Sequence, residues 1–168
     1  MTTTAKLVRL TVEALRAART DAGDRVYSPG DWPTKTSILP VLLVQARRDD
    51  KVSQGRGSIA FTTTSTVRIT GRVDATGAPA DAGGEHAEDR LWRLQRQAER
   101  AVINADGIAP LLQQFPTIRT EIGFNSEGQL QLGEFVMEIA MEYFQGPEDF
   151  FETPTTDITG FDVTLPQT

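Results

Sequence analysis

The chain has 168 residues, 39% of them hydrophobic and 24% charged, with a formal net charge of −6, one histidine and no cysteine. That is enough for one domain with its own core, and it excludes disulfides and thiol chemistry. The acidic balance argues against a protein that grips nucleic-acid phosphates, and no run approaches the ~20 apolar residues of a membrane span.

Residues 5–19 predict an amphipathic helix rather than a signal peptide. Val8, Val12 and Leu15 form its stripe, Leu7 and Ala18 lie beside it, and Thr3 or Thr4 serves as N-cap. A short strand is expected at Arg25, Val26 and Tyr27, followed by a turn-rich loop containing Trp32. Residues 37–47 are the most apolar run of the chain and predict a strand covered on both sides, with Pro40 marking an edge or bulge at its start.

Residues 58–73 alternate for their whole length: Ile59, Phe61, Val67, Ile69 and Val73 against Ala60, Thr62, Thr64, Thr66, Arg68, Thr70 and Arg72. Such a strand would reach roughly 50 Å. Either it bends, at Gly71 or at the small Thr63–Ser65 middle, or part of it projects beyond the body and pairs with another chain. Under the second reading Thr62, Thr63, Thr64, Ser65 and Thr66 are the candidate oligomer interface.

After a loop at residues 74–84, residues 85–104 predict a second helix with Ala87, Leu91, Leu94, Ala98, Ala101 and Val102 inward and an Asp89–Arg93 pair outside. A short helix or turn at 107–115 precedes a strand at 117–124. A turn at residues 125–128 then leads into a last strand at 129–144. In that strand the apolar parity changes between Leu132 and Phe135, which predicts a bulge at Gly133. Glu134, Glu138 and Glu142 then share one face. The order predicts an α+β, two-layer domain at residues 1–146: an antiparallel or mixed sheet of four to five strands with two helices packed on one face. Residues 147–168, acidic and rich in Thr and Pro, read as an extended arm, ordered where Phe150, Phe151 or Phe161 finds a groove.

No catalytic, cofactor or metal site is assigned. His86 has no second histidine for a zinc site or a relay, and no phosphate-binding glycine motif is present. Glutamates four apart on a strand lie about 13 Å apart, too far for a glycosidase pair of about 5 to 10 Å. Arg68 and Arg72 are their possible cross-strand partners. The segment Asp157-Ile-Thr-Gly-Phe-Asp162 lacks the length and closing glutamate of a calcium loop.

The element order resembles the tail terminator (tail completion) proteins of long-tailed bacteriophages and tail-like particles. The resemblance rests on the first amphipathic helix, the loop Asp31-Trp32-Pro33, the run Leu39-Pro40-Val41-Leu42-Leu43-Val44 ahead of Arg47-Arg48-Asp49-Asp50, the alternating strand leading into a helix, and the final hairpin. It covers roughly residues 5–146. It implies a non-enzymatic virion protein without cofactor, assembled in the host cytoplasm. Such a protein forms a homo-oligomeric ring, a hexamer, on the head-proximal end of the tail tube. Its partners would be the tail tube protein and the head–tail connector, with no membrane involved. DNA would pass through an acidic lumen without specific binding, lined by Glu134, Glu138 and Glu142. Alternatives are another neck or tail component, such as a head-completion or tail-tube protein, or a small hydrolase using clustered acids.

Overall fold

A computed structural model describes residues 1–29, 39–74, 83–127 and 130–151. The elements run α1 (Thr4–Ala17), β1 (Val26–Tyr27), β2 (Val41–Ser53), β3 (Phe61–Asp74), α2 (Gly83–Ile103), β4 (Ile118–Glu127) and β5 (Leu130–Gln145). One five-stranded sheet has the order β1-β2-β3-β5-β4, antiparallel except for β1 against β2. Both helices contribute to one core with the sheet, so the expected two-layer α+β domain is present.

The helices form where the apolar spacing puts them. Thr3 caps α1, its hydroxyl accepting from the Lys6 N–H at 3.2 Å, and Leu7, Thr11, Val12 and Leu15 are buried. In α2 the inward stripe is Ala87, Leu91, Leu94, Ala98 and Val102, each with no exposed surface. Leu91, Leu94, Ala98 and Val102 share one core with Phe135, Met137, Ile139 and Met141 of β5 and with Val67 and Ile69 of β3. Burying each large side chain contributes about 1.5–3 kcal/mol. The outer face of α2 differs from expectation in one pair. Arg93 reaches across to Asp21 at 2.5 Å, joining the helix to the loop after α1 instead of to Asp89.

The apolar start of β2 is buried on both faces, from Val41 to Val44. Beyond it the register with β3 shifts between Ala46 and Arg48, leaving Arg47 as an extra residue. The bulge exchanges the inward parity of the strand. Leu42 and Val44 face the helices before it, and Asp49 and Lys51, opposite Ser65 and Thr63, face them after it. Among the described strands this is the parity change that the ladder pairings show. The bulge expected at Gly133 is not there, since the pairing of β5 with both β3 and β4 runs through Gly133 without a shift. Gly133 occupies a buried position in phase with Phe135. A Cβ there would meet Leu91, Phe124 and Val73, each at 3.3 Å, so the site is crowded.

The long alternating strand is also not a projecting one. β3 is central: it pairs β5 from Phe61 to Asp74 without a shift in register, and β2 from Phe61 to Arg72 with one shift, at Arg47 of the neighbour. Gly71 is no hinge. It lies opposite Phe135, whose ring fills the space that a side chain at 71 would need. β2, β3 and β5 are all long, so the length belongs to a three-stranded ribbon, not to one strand.

Candidate functional site: the helix-free face and the far end of the sheet

Side chains of β3 at even positions, and their cross-strand neighbours, point away from the helices. On β5 these neighbours are Glu134, Glu138 and Glu142, opposite Arg72, Arg68 and Thr64. Arg68 donates through Nε and Nη2 to Glu138 Oε1 at 3.0 and 2.7 Å. Arg72 Nε donates to Glu134 Oε2 at 2.5 Å. Glu142 accepts from Gln114 Nε2 at 2.7 Å. The β2 bulge turns Arg47 and Arg48 to this same face. There Arg47 lies 3.8 Å from Glu138 and Arg48 is 2.6 Å from Asp50. With Arg119 and Glu121 of β4 they line an open cleft of about 400 Å³. The hydrogen bond from Arg68, opposed by partial burial and aided by the charges of Arg68, Arg47 and Arg119, holds the Glu138 carboxyl below its ordinary range.

The three glutamates therefore do share a face, but not as a bare acidic stripe. Arg47, Arg48, Arg68, Arg72 and Arg119 stand among Asp50, Glu121, Glu134, Glu138 and Glu142, so arginines and carboxylates are interleaved here. β3 supplies an arginine for two of the three, Arg72 for Glu134 and Arg68 for Glu138.

The Thr-rich middle of β3 has a different environment. Thr63 and Ser65 have no exposed surface and Thr66 is 6% exposed. Ser65 Oγ donates to Asp49 Oδ1 at 2.7 Å and hydrogen-bonds Thr4 Oγ1 at 2.9 Å and Tyr143 Oη at 3.1 Å. Thr63 donates to Gln145 Oε1 at 2.7 Å. Lys51 Nζ donates to the same oxygen at 2.5 Å and lies 3.2 Å from Asp49. Gln145 in turn donates to the Thr2 carbonyl at 3.3 Å. This cluster ties the start of α1 to β2, β3 and β5. Thr62, Thr63, Thr64, Ser65 and Thr66 are hydrogen-bonded strand on both sides, so their backbone is closed to another chain. Only the half-exposed Thr62 and Thr64 side chains reach the helix-free surface.

The sheet ends in a set of exposed apolar residues. Val52 and Phe144 flank Thr62 in one cross-strand row on the helix-free face and are 66% and 50% exposed. Ile59 and Phe151 are also exposed. Phe150 packs edge-on against Phe61, ring centroids 5.4 Å apart, after a 3₁₀ turn (Pro147–Asp149) in which Asp149 accepts from the Gly146 N–H. One aromatic of the expected arm thus docks on the sheet. Phe161, the segment Asp157–Asp162, the Asp31-Trp32-Pro33 loop, and Gly128 of the hairpin turn lie outside the described residues. His86 sits half-buried in the first turns of α2. Among the described residues no group of three or more His, Asp or Glu is placed to hold a metal ion, and no helix is long and apolar enough to cross a membrane.

Sequence reasoning missed the β2 bulge and the buried polar cluster. The consecutive Arg47-Arg48 after an apolar run was the available signal for the first. Thr63 and Ser65, in phase with Val67 and Ile69, were the signal for the second. No protein-family model matches the chain, and a search of characterised proteins finds no similar sequence.

Proposed function

We propose that this chain is a structural, non-enzymatic protein of the tail terminator type. It would form a ring, six subunits by analogy, on the head-proximal end of a phage tail tube, stop tube growth and offer a joining surface to the head connector. The observation that carries the reading is the exposed apolar end of the sheet, Val52, Ile59, Phe144 and Phe151, at the end of the three-stranded ribbon. Clustered large apolar side chains on a charged surface mark a protein contact. The rest of the reading is carried by the resemblance in the order of elements. The Thr-rich middle, by contrast, is needed inside the fold, so the contact surface in this proposal moves from Thr62–Thr66 to the end of the ribbon. On this face carboxylates stand beside the arginines and offset their pull on DNA phosphates, which suits passage without retention. Within this reading the protein belongs to the virion and assembles in the host cytoplasm.

Electron microscopy of tail tubes assembled with the purified protein tests the proposal. Rings with a central hole, capping tubes of fixed length, are expected. The double substitution Val52→Asp/Phe144→Asp should abolish the rings while leaving the circular dichroism of the subunit intact. Tubes that grow without limit and carry no cap overturn the reading, as does self-polymerisation of the chain into long tubes.

A further inference from the structure

The two edges of the sheet are unlike. Beyond the two-residue β1, the outer edge of β2 carries the bulge at Arg47 and the run Arg48-Asp49-Asp50-Lys51, devices that discourage strand addition. β4 carries neither. Its register with β5 is regular over ten residues, and among the described residues no strand pairs with its outer side. The Ala140 N–H donates to the Thr117 carbonyl at 2.9 Å, so Thr117 turns its backbone groups to β5. By the period of two, Arg119, Glu121 and Gly123 do the same. Ile118, Thr120, Ile122 and Phe124 then aim their N–H and C=O groups outward.

From this we infer that β4 pairs with β4 of a second copy of this chain, antiparallel, about a two-fold axis through Thr120. That register makes Thr120 a hydrogen-bonded pair with itself and places Ile118 opposite Ile122 of the second copy, again as a hydrogen-bonded pair. Arg119 falls opposite Glu121 of the second copy at a close, non-hydrogen-bonded position, where cross-strand side chains approach most nearly. Both charges are exposed in the single chain. The next outward pair would be Phe124 with Pro116, whose missing N–H ends the ladder. Charge and apolar residues match in the same register, and a two-fold contact needs that self-complementarity.

The inference does not depend on the ring. A two-fold contact turns two subunits head to head, whereas a cap with one face to the tube and one to the head is cyclic. If both hold, the pair is the state of the free chain and must open before ring closure. Light scattering on the purified full chain should give twice the 18.4 kDa of one chain. Arg119→Glu, which sets like charges against each other across the axis, should halve that mass, and Arg119→Glu/Glu121→Arg should restore it. Because Arg119 also lies opposite Glu138 within the subunit, hydrogen exchange of the unmodified protein supplies an independent reading. The amides of Ile118, Thr120 and Ile122 should slow as concentration rises, and those of Arg119 and Glu121 should not. A single-chain mass with concentration-independent exchange overturns the inference. So does a six-chain mass that Arg119→Glu leaves unchanged.

Discussion

The two faces of this sheet are made by the same strands yet are held by different physics. On the helix side, Phe135, Met137, Ile139 and Met141 have no exposed surface and interlock with Leu91 and Leu94. On the other side, the residues between them on β5 are Glu134, Val136, Glu138, Ala140 and Glu142, each partly exposed and, where charged, hydrogen-bonded by Arg72, Arg68 or Gln114. The first face is where burial pays for the chain's loss of freedom. The second is free to change without unfolding the subunit, so it is the face on which a surface role can be built.

Substitutions on the helix side should sharpen this contrast most. Leu91→Ala removes a fully buried side chain from the α2–β5 contact and should cost about 2–5 kcal/mol, read as a lowered urea midpoint at unchanged m value. Gly71→Ala acts by the opposite means. Its new methyl would overlap the Phe135 ring, and overpacking of this kind costs about 1–3 kcal/mol. If either variant unfolds like the parent, the core does not carry the stability assigned to it.

The polar cluster at the start of α1 lies between these extremes. Ser65→Ala leaves the Tyr143 hydroxyl, Asp49 and Thr4 without their shared partner and should cost about 1–3 kcal/mol. Tyr143→Phe removes one of three contacts to Ser65 and should cost about 0.5–1.5 kcal/mol. A denaturant titration that ranks Tyr143→Phe above Ser65→Ala would show that the aromatic hydroxyl, not Ser65, is the centre of the cluster.

The helices were legible because their inward positions repeat at three and four, and nothing in Ala87–Val102 interrupts the stripe. The strands were legible as strands. Their faces were legible only in part, for reasons of composition and geometry. At Thr63 and Ser65 residue type points outward and parity points inward. Parity prevails because Asp49, Gln145 and Tyr143 arrive from other strands to satisfy the hydroxyls, and nothing local announces those partners. At Gly133 a glycine that fills a crowded, buried position looks the same in sequence as an inserted residue. The true insertion, Arg47, sits where two charged residues hide any alternation. The glutamates were readable as one face, and Arg68 and Arg72 as possible partners, but only the adjacency of β3 and β5 in the sheet order decides that they meet.

The smallest expected effect belongs to the helix-free face. The Arg68–Glu138 pair is partly solvated, so Glu138→Gln should cost under about 1 kcal/mol at neutral pH. Its signature lies in the pH dependence. The folded-state pKa of Glu138 is lowered, so the folded protein releases this proton more readily than the unfolded chain. The resulting stabilisation is present above the ordinary carboxylate value of 4.5 and is lost as pH falls through the lower folded value. Asp21 behaves with the same sign. Burial pushes its pKa up, but hydrogen bonds from Gln97 and Arg93 outweigh that and lower it, so the wild-type background also weakens in acid. The informative quantity is therefore the difference in unfolding free energy between wild type and Glu138→Gln. It should shrink to nothing as the pH falls through the lowered folded value of Glu138, while the cost of Leu91→Ala stays constant across the same titration. A Glu138→Gln difference that persists undiminished in acid would mean that shape or neutral hydrogen bonding, not charge, holds this face together.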